Sequence, residues 1–270
     1  MKEARKIAGD TTLVITTYNK PVFLEMVLKS VLEQVVLPCE VIIADDGSKS
    51  ETHELIERYQ AVFPVPLIHS WIPDEGFRLS MSRNVAIAKA KGDYIIIIDG
   101  DIVMRPSFVQ DHILAREQGY FVNGSRARLS EKATQRHCAT LDAHISFLTP
   151  GVRRPLVLVR MPWLRYIAKG ATGIDKIRGC NMSFWKSDLI AVNGFEERIT
   201  GWGCEDTELV DRLYHFGVKR KNIKGLAPCV HLYHPQTAEN KATHKANIGI
   251  REETERLRKI RADKGIDQYL

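Results

Sequence analysis

Tyr94-Ile-Ile-Ile-Ile98, followed at once by Asp99-Gly100-Asp101, is the stretch on which the fold turns. A short, unbroken apolar run predicts a buried strand, and it falls far short of the roughly 20 apolar residues a membrane-crossing helix needs. Just upstream a helix is expected from about Leu79 to Lys91, closed by Gly92. Before it, Val65–His69 reads as a strand. Further back, Val41–Ala44 forms another strand, and Ser48-x-x-Glu51 reads as a capping box opening a helix with Leu55, Ile56, Tyr59 and Val62, stopped by Pro64. Leu13–Thr17 begins the series, and after Pro21 the residues Leu24, Val27, Leu28, Val31 and Val35 keep helical spacing. Strands alternating with helices predict an α/β fold, a mostly parallel central sheet flanked by helices. Ligands of such sheets sit beyond the carboxyl ends of the strands. Tyr18-Asn19, Asp45-Asp46-Gly47 and Asp99-Gly100-Asp101 each follow a strand, so all three are expected on one rim.

After about residue 125 the pattern changes. Leu148–Gly170 carries Arg153, Arg154, Arg160, Arg165 and Lys169 among apolar residues and prolines, and reads as an irregular basic connection. Regular structure resumes with a strand over Cys180–Trp185, a helix ending at Asn193-Gly194, a Gly-rich turn at Gly201–Cys204, a helix from Glu205 to Phe216 and a strand near Ala227–Tyr233. From Thr237 to about Lys264 the chain is charged and helix-prone.

Composition bounds the possibilities. With 270 residues, 44% hydrophobic and 27% charged, the chain suits one large α/β domain and is neither disordered nor fibrous. Met1–Asp10 lacks the apolar core of a signal peptide, and the cysteines (Cys39, Cys138, Cys180, Cys204, Cys229) show no C-x-x-C spacing. A cytoplasmic, reduced setting is therefore expected. The net charge of +6 suits an anionic partner: a nucleotide diphosphate, a nucleic acid or an acidic membrane surface.

Several side chains are candidates for chemistry. Two carboxylates separated by Gly100 can share a hard divalent ion bound to phosphate oxygens, and Asp45-Asp46 would add two more acids to a rim that then calls for a cation or donors. Arg83-Asn84 is placed to pair with an acid there or to bond a base or phosphate. Glu205 and Asp206 fall in the first turn of a helix, where the dipole favours ionised carboxylates, as a general base requires. Trp202, between Gly201 and Gly203, offers a flat face for a sugar ring. His231 and His234 could complete a mixed oxygen and imidazole site begun by Asp101, which suits manganese.

Together these residues resemble family 2 glycosyltransferases over residues 12 to about 125, through Thr16-Thr17-Tyr18-Asn19, Ala44-Asp45-Asp46-Gly47-Ser48, Arg83-Asn84 and Asp99-Gly100-Asp101. Residues 179–234 resemble the C-terminal part shared by bacterial chondroitin polymerases and β-1,4-galactosyltransferases, through Gly179-Cys-Asn-Met-Ser-Phe184, Asn193-Gly194-Phe195, Gly201-Trp-Gly-Cys-Glu-Asp206 and His231-x-x-His234. The resemblance implies a GT-A fold in one catalytic domain over 1–270. It divides into a nucleotide-sugar-binding half at 11–125, an acceptor and catalytic half at 126–236 and a C-terminal helical extension at 237–270. It implies that Thr16, Tyr18, Asp46 and Arg83 hold the nucleoside, uridine, with Asp99 and Gly100 near ribose. Asp101 and His234 then bind Mn2+ or Mg2+. His231, where the galactosyltransferases carry methionine, is a further candidate ligand. Asp206 matches the catalytic base, with Glu205, Trp202 and Gly203 facing the sugars; Cys204 stands where those families commonly carry glycine. The implied reaction is inverting transfer from a UDP-sugar to a saccharide or lipid-linked saccharide, with no nucleic-acid partner. Trp163 and Tyr166 in the basic segment 152–169 suggest a peripheral membrane contact. A nucleotidyltransferase would also use paired aspartates and a metal, but Thr16–Asn19 lacks its Gly-rich basic phosphate loop. A non-catalytic nucleotide-sugar-binding protein would have no use for Asp101, Asp206 and His234 together.

Overall fold

The computed structural model describes residues 6–163, 169–171, 173–174, 177–235 and 243–270. Arg165 and Tyr166 of the basic segment and the expected helix start at Thr237 lie outside them. Among the described residues an eight-stranded sheet runs in the order β3-β2-β1-β4-β10-β6-β11-β9. Its strands are β1 (Lys6–Thr17), β2 (Val36–Asp45), β3 (Leu67–Trp71), β4 (Tyr94–Asp99), β6 (Tyr120–Asn123), β9 (Lys169–Ala171), β10 (Asn181–Trp185) and β11 (Lys219–Asn222). A second sheet joins β5 (Ile102–Met104), β12 (Cys229–His231), β7 (Ala127–Leu129) and β8 (Val152–Arg153), in that order. The first four strands of the large sheet are mutually parallel, and β10 enters antiparallel beside β4. The sheet is therefore mixed, as the sequence implied.

Helices cover both faces. They are α1 (Pro21–Leu32), α2 (Ser50–Gln60), α3 (Leu79–Lys89), α4 (Phe108–Ala115), α5 (Glu131–Thr140), α6 (Lys186–Ala191), α7 (Glu205–Phe216) and α8 (His244–Leu257). Leu13, Ile15, Ile96 and Ile98 point to a core completed by α1, α2 and α4, whereas Val14, Ile95 and Ile97 point to one completed by α3, α6 and α7. Successive strand residues face opposite sides, so a strand covered on both must be apolar throughout, which is why Ile95–Ile98 is unbroken.

Several local expectations change in three dimensions. Ser48 does not cap α2, which begins at Ser50 after Lys49. Its hydroxyl instead accepts the Asn19 N–H, and its own N–H donates to Asp45, lacing two rim turns together. α1 stops at Leu32, leaving Val35 exposed, because Gln34 turns inward to bond the Ser30 and Arg105 carbonyls and the Val109 N–H. Gly92 does not close α3, which ends at Lys89. It lies where a Cβ would sit 2.7 Å from the Thr12 backbone nitrogen, so close approach of β1 is what requires glycine there. Arg160, in the segment read as an irregular basic connection, makes a bidentate pair with the fully buried Asp111 and so fastens that segment to α4.

The helix that begins at Glu205 is anchored by a buried ion pair. Glu208 and Arg212, both fully buried, are joined at 2.7–2.8 Å, with Thr254 of α8 donating to the same carboxylate and Arg212 also reaching the Val192 carbonyl. Glu208→Ala leaves this guanidinium buried without its counter-ion, so we expect a loss of about 3–5 kcal/mol of stability, read from denaturant melts. A loss within that of ordinary surface substitutions would contradict the assignment.

Candidate active site

The rim forms because the strands end in register. Thr16 of β1 pairs with Ala44 on one side and Asp99 on the other, and Ile98 pairs with Asn181 of β10. Asp45-Asp46, Asp99-Gly100-Asp101 and the turn before β10 therefore emerge together. Gly100 is demanded by that convergence, since a Cβ there would lie 2.4 Å from the Thr16 carbonyl oxygen.

On the β2 side, the donors that the rim calls for are present for Asp45 and in part for Asp46. Asp45 is fully buried and committed to the protein, accepting from His69 at 2.7 Å and from the Ser48 N–H. Asp46 accepts the Arg78 N–H through one oxygen at 2.7 Å, and its other oxygen is buried without a partner. Burial pushes this carboxyl up to about 7, against the pull of Arg78. Tyr18 is partly exposed and donates to Asp74, while the Thr16 hydroxyl donates to Asp99 at 3.3 Å. Thr16, Tyr18, Asp46 and Asp99 thus lie at the carboxyl ends of the neighbouring strands β1, β2 and β4.

Past Gly100 the chain leaves the large sheet for the small one. β5 pairs antiparallel with β12, placing His231 opposite Ile102, and the Leu232 N–H donates to the Asp101 carbonyl. This pairing brings the late histidines to Asp101. Its Oδ2 lies 3.0 Å from His234 Nε2 and 3.6 Å from His231 Nε2, and Oδ1 is buried without a hydrogen-bond partner. One ligand atom from each of the three lies within 4.8 Å of the others. Burial alone would raise the Asp101 carboxyl, but the His234 hydrogen bond and the nearby His231 hold it below its ordinary value. Burial pushes His231 down to about 4, so it is neutral, as a ligand must be. A carboxylate with a spare buried lone pair and two imidazoles fit Mn2+ or a similar divalent ion.

Arg83 joins this centre to the acids of α7. Its side chain is 1% exposed, and its guanidinium donates to Asp99 at 3.1 Å and to Asp206 at 3.0 Å, with Glu205 at 3.8 Å. Arg83 therefore stands between the two halves of the rim, paired with acids on both. Asn84, beside it, is fully buried and spent on the fold, exchanging hydrogen bonds with the Phe195 backbone. The second Asp206 oxygen accepts the Gly179 N–H at 2.8 Å. Gly179 is a site residue that sequence reasoning passed over: a Cβ there would meet the Asp206 carboxylate at 2.0–2.2 Å. Its signal was a glycine at the entry to a buried strand. Glu205 is pushed up to about 7, first by burial and then by Asp206, with Arg83 opposing. Trp202, 46% exposed, and Gly203 form the turn immediately before these acids.

Comparison with known proteins gives the family and the fold. The model of the family described as glycosyl transferase family 2 matches residues 12–153, and one described as the N-terminal domain of galactosyltransferase matches residues 168–235. Chondroitin synthase of Escherichia coli is 26% identical over 263 residues, covering 90% of this chain and 38% of its own length. The chain thus spans well under half of that relative. Among solved structures, S. aureus TarS 1-349 in complex with UDP-GlcNAc superposes with a TM-score of 0.66 at 14% identity, over 96% of this chain and 69% of that one. GalNAc-T7 with UDP, GalNAc and Mn2+ gives a TM-score of 0.65 at 14% identity, over 94% and 48%. The fold is GT-A.

The raised Asp46 carboxyl has a consequence for stability. Its folded value of about 7 exceeds the ordinary 3.8, so the unfolded chain gives up this proton first and stability falls as pH rises from about 4 to 7. Asp46→Asn is neutral throughout. Between pH 4 and pH 8 its stability relative to the natural protein should rise by about 4 kcal/mol, measured by chemical denaturation at both pH values. A difference independent of pH would refute the assignment.

Proposed function

The chain belongs to glycosyl transferase family 2, and from that premise we propose that it transfers a sugar from a UDP-sugar to a hydroxyl of a saccharide or lipid-linked saccharide, with inversion. The observation that carries this reading is the Arg83 bridge: one buried guanidinium ties Asp99, two residues from the Asp101, His231 and His234 cluster, to Asp206. Donor side, ion side and acceptor side thereby share one centre.

In this reading Thr16, Tyr18 and Asp46 hold the nucleoside, and Asp99 with Gly100 lies along the ribose. Asp101, His234 and His231 hold Mn2+ or Mg2+, which when bound stabilises negative charge on the departing diphosphate. Asp206 takes the acceptor hydroxyl proton as that oxygen attacks the anomeric carbon, and the bond to the diphosphate breaks on the opposite face. The proton stays on Asp206 and the electron pair leaves with UDP. Arg83 and the Gly179 N–H occupy one lone pair on each Asp206 oxygen, orienting the carboxylate and leaving capacity for the acceptor. Glu205, raised toward neutrality by burial, is suited to bond the acceptor, and Trp202 offers its ring face to a sugar. Residues 11–125 then serve as the donor half and 126–236 as the acceptor half.

A surface feature supports peripheral contact with a membrane that carries a lipid-linked acceptor. Phe147, Leu148, Leu156 and Trp163 are 50–77% exposed, close in sequence to exposed Arg153 and Arg154. No described helix is long and apolar enough to cross a membrane, so contact would be through this surface. The free cysteines suit the cytoplasmic side.

Two measurements test these readings. UDP release from a panel of UDP-sugars should require Mn2+ or Mg2+, be abolished by chelation, and fall about 10²–10⁴-fold in Asp206→Asn. Unchanged turnover in that variant would remove the base, and release of pyrophosphate from UTP instead would favour a nucleotidyltransferase. In liposome flotation the protein should rise with vesicles containing anionic phospholipid, and Leu148→Ser with Leu156→Ser should leave it behind; a protein that stays in the soluble fraction in all cases rules out the membrane contact.

A further inference from the structure

The turn that carries Trp202 has little structure of its own. Gly201 and Gly203 adopt φ of +70° and +95°, and Cys204 lies at +75°, so the chain passes through consecutive left-handed or turn conformations before α7 begins. Its carbonyls are taken up by one side chain far along the sequence. Asn247 of α8, 1% exposed, directs its amide nitrogen to the carbonyl oxygens of Thr200 at 2.9 Å, Gly203 at 3.0 Å and Trp202 at 3.3 Å. An amide has two N–H groups, so three acceptors share two protons and the site is saturated with acceptors. The same end of α8 presses on the turn from outside. A Cβ on Gly201 would meet the Thr243 side chain at 2.1 Å and one on Gly203 would meet the His244 ring at 2.8 Å, while the Trp202 and His244 rings lie 5.3 Å apart. From the donor side, the Phe77 carbonyl accepts the Gly201 N–H at 2.9 Å.

We propose that Asn247 is a positioning residue of the sugar site: the C-terminal helix fixes the Thr200–Cys204 turn, and through it the aim of Trp202 and of the first turn of α7, for binding the acceptor saccharide. The proposal rests on the sugar-transfer reading above. It makes α8 part of the working site instead of an appendage. A buried amide that serves three carbonyls cannot be removed without freeing the backbone it holds, and a turn of this kind has no ladder to fall back on. Of the proposed nucleoside contacts, Thr16 and Tyr18 bond to Asp99 and Asp74, and Asp46 reaches this turn through the Phe77–Arg78 peptide, which Asn247 does not hold. The predicted defect is therefore selective.

The test compares Asn247→Ala and Asn247→Ser with Arg251→Ala, which breaks an α8 ion pair to Asp211 and leaves the Asn247 hydrogen bonds to the turn in place. The acceptor probe is whichever free monosaccharide among glucose, galactose, N-acetylglucosamine, N-acetylgalactosamine and glucuronic acid the natural protein uses fastest. Asn247→Ala should raise the acceptor KM about tenfold or more while the UDP-sugar KM moves less than about twofold, and Asn247→Ser, keeping a donor, should recover part of the loss. Hydrogen exchange should quicken in residues 200–204 and not in the later turns of α7. Arg251→Ala should do neither, whatever it costs in thermal stability. Equal change in both KM values, or the same profile in Arg251→Ala, would overturn the proposal. Failure of the natural protein itself to turn over any UDP-sugar would overturn the transfer reading, with the exchange data then reporting separately on the clamp.

Discussion

A guanidinium with 1% exposure cannot remain ionised inside a protein unless anions surround it, and the architecture around Arg83 supplies them. Asp99 comes from the end of β4, Asp206 and Glu205 from the start of α7, and the Phe195 ring lies 4.9 Å beneath the charge. Removing Asp99 or Asp206 would take away one of its two hydrogen-bonded counter-ions. The packing of α3 against the sheet and the placement of α7 are consequently one problem with one solution. That solution also sets the two carboxylates of the proposed chemistry at a fixed separation across one cation.

The remainder of the rim follows the same electrostatic logic. Asp45 accepts from His69 and from the Ser48 N–H, and Asp101 is flanked by two imidazoles. Asp46 is left with a buried oxygen lacking a partner, which is why its proton is held so firmly. The protein's own donors satisfy Asp45, while Asp46 and Asp101 each keep one buried oxygen without a partner among the described residues.

Much of the site was legible because it depends on local pattern. A polar cluster directly after each apolar strand could be placed on a common edge from topology alone, and Glu205 to Phe216 is a helix with the bounds its spacing implied. What misled was local chemistry with a better long-range partner. Ser48 looked like a helix cap but had the Asn19 N–H to accept, Arg160 sat in a segment read as an irregular connection but had Asp111, and Asn84 looked available to a ligand but had the Phe195 backbone. In each case the competing group lies more than a helical turn away or on another element, where periodicity carries no information.

The amino-acid sequence by itself determined the alternation of strands and helices, the parallel order at the start and the chemical type of each rim residue, since these follow from apolar spacing and from which side chains can ionise. Only the tertiary structure decided that β12 pairs with β5 and so delivers His231 and His234 to Asp101, that Arg83 faces Asp206 instead of solvent, and that Asn247 holds the Trp202 turn. Those contacts join residues from 44 or 45 to well over a hundred positions apart. Their partners are chosen by burial and charge compensation across the whole fold, quantities that no single stretch of chain contains.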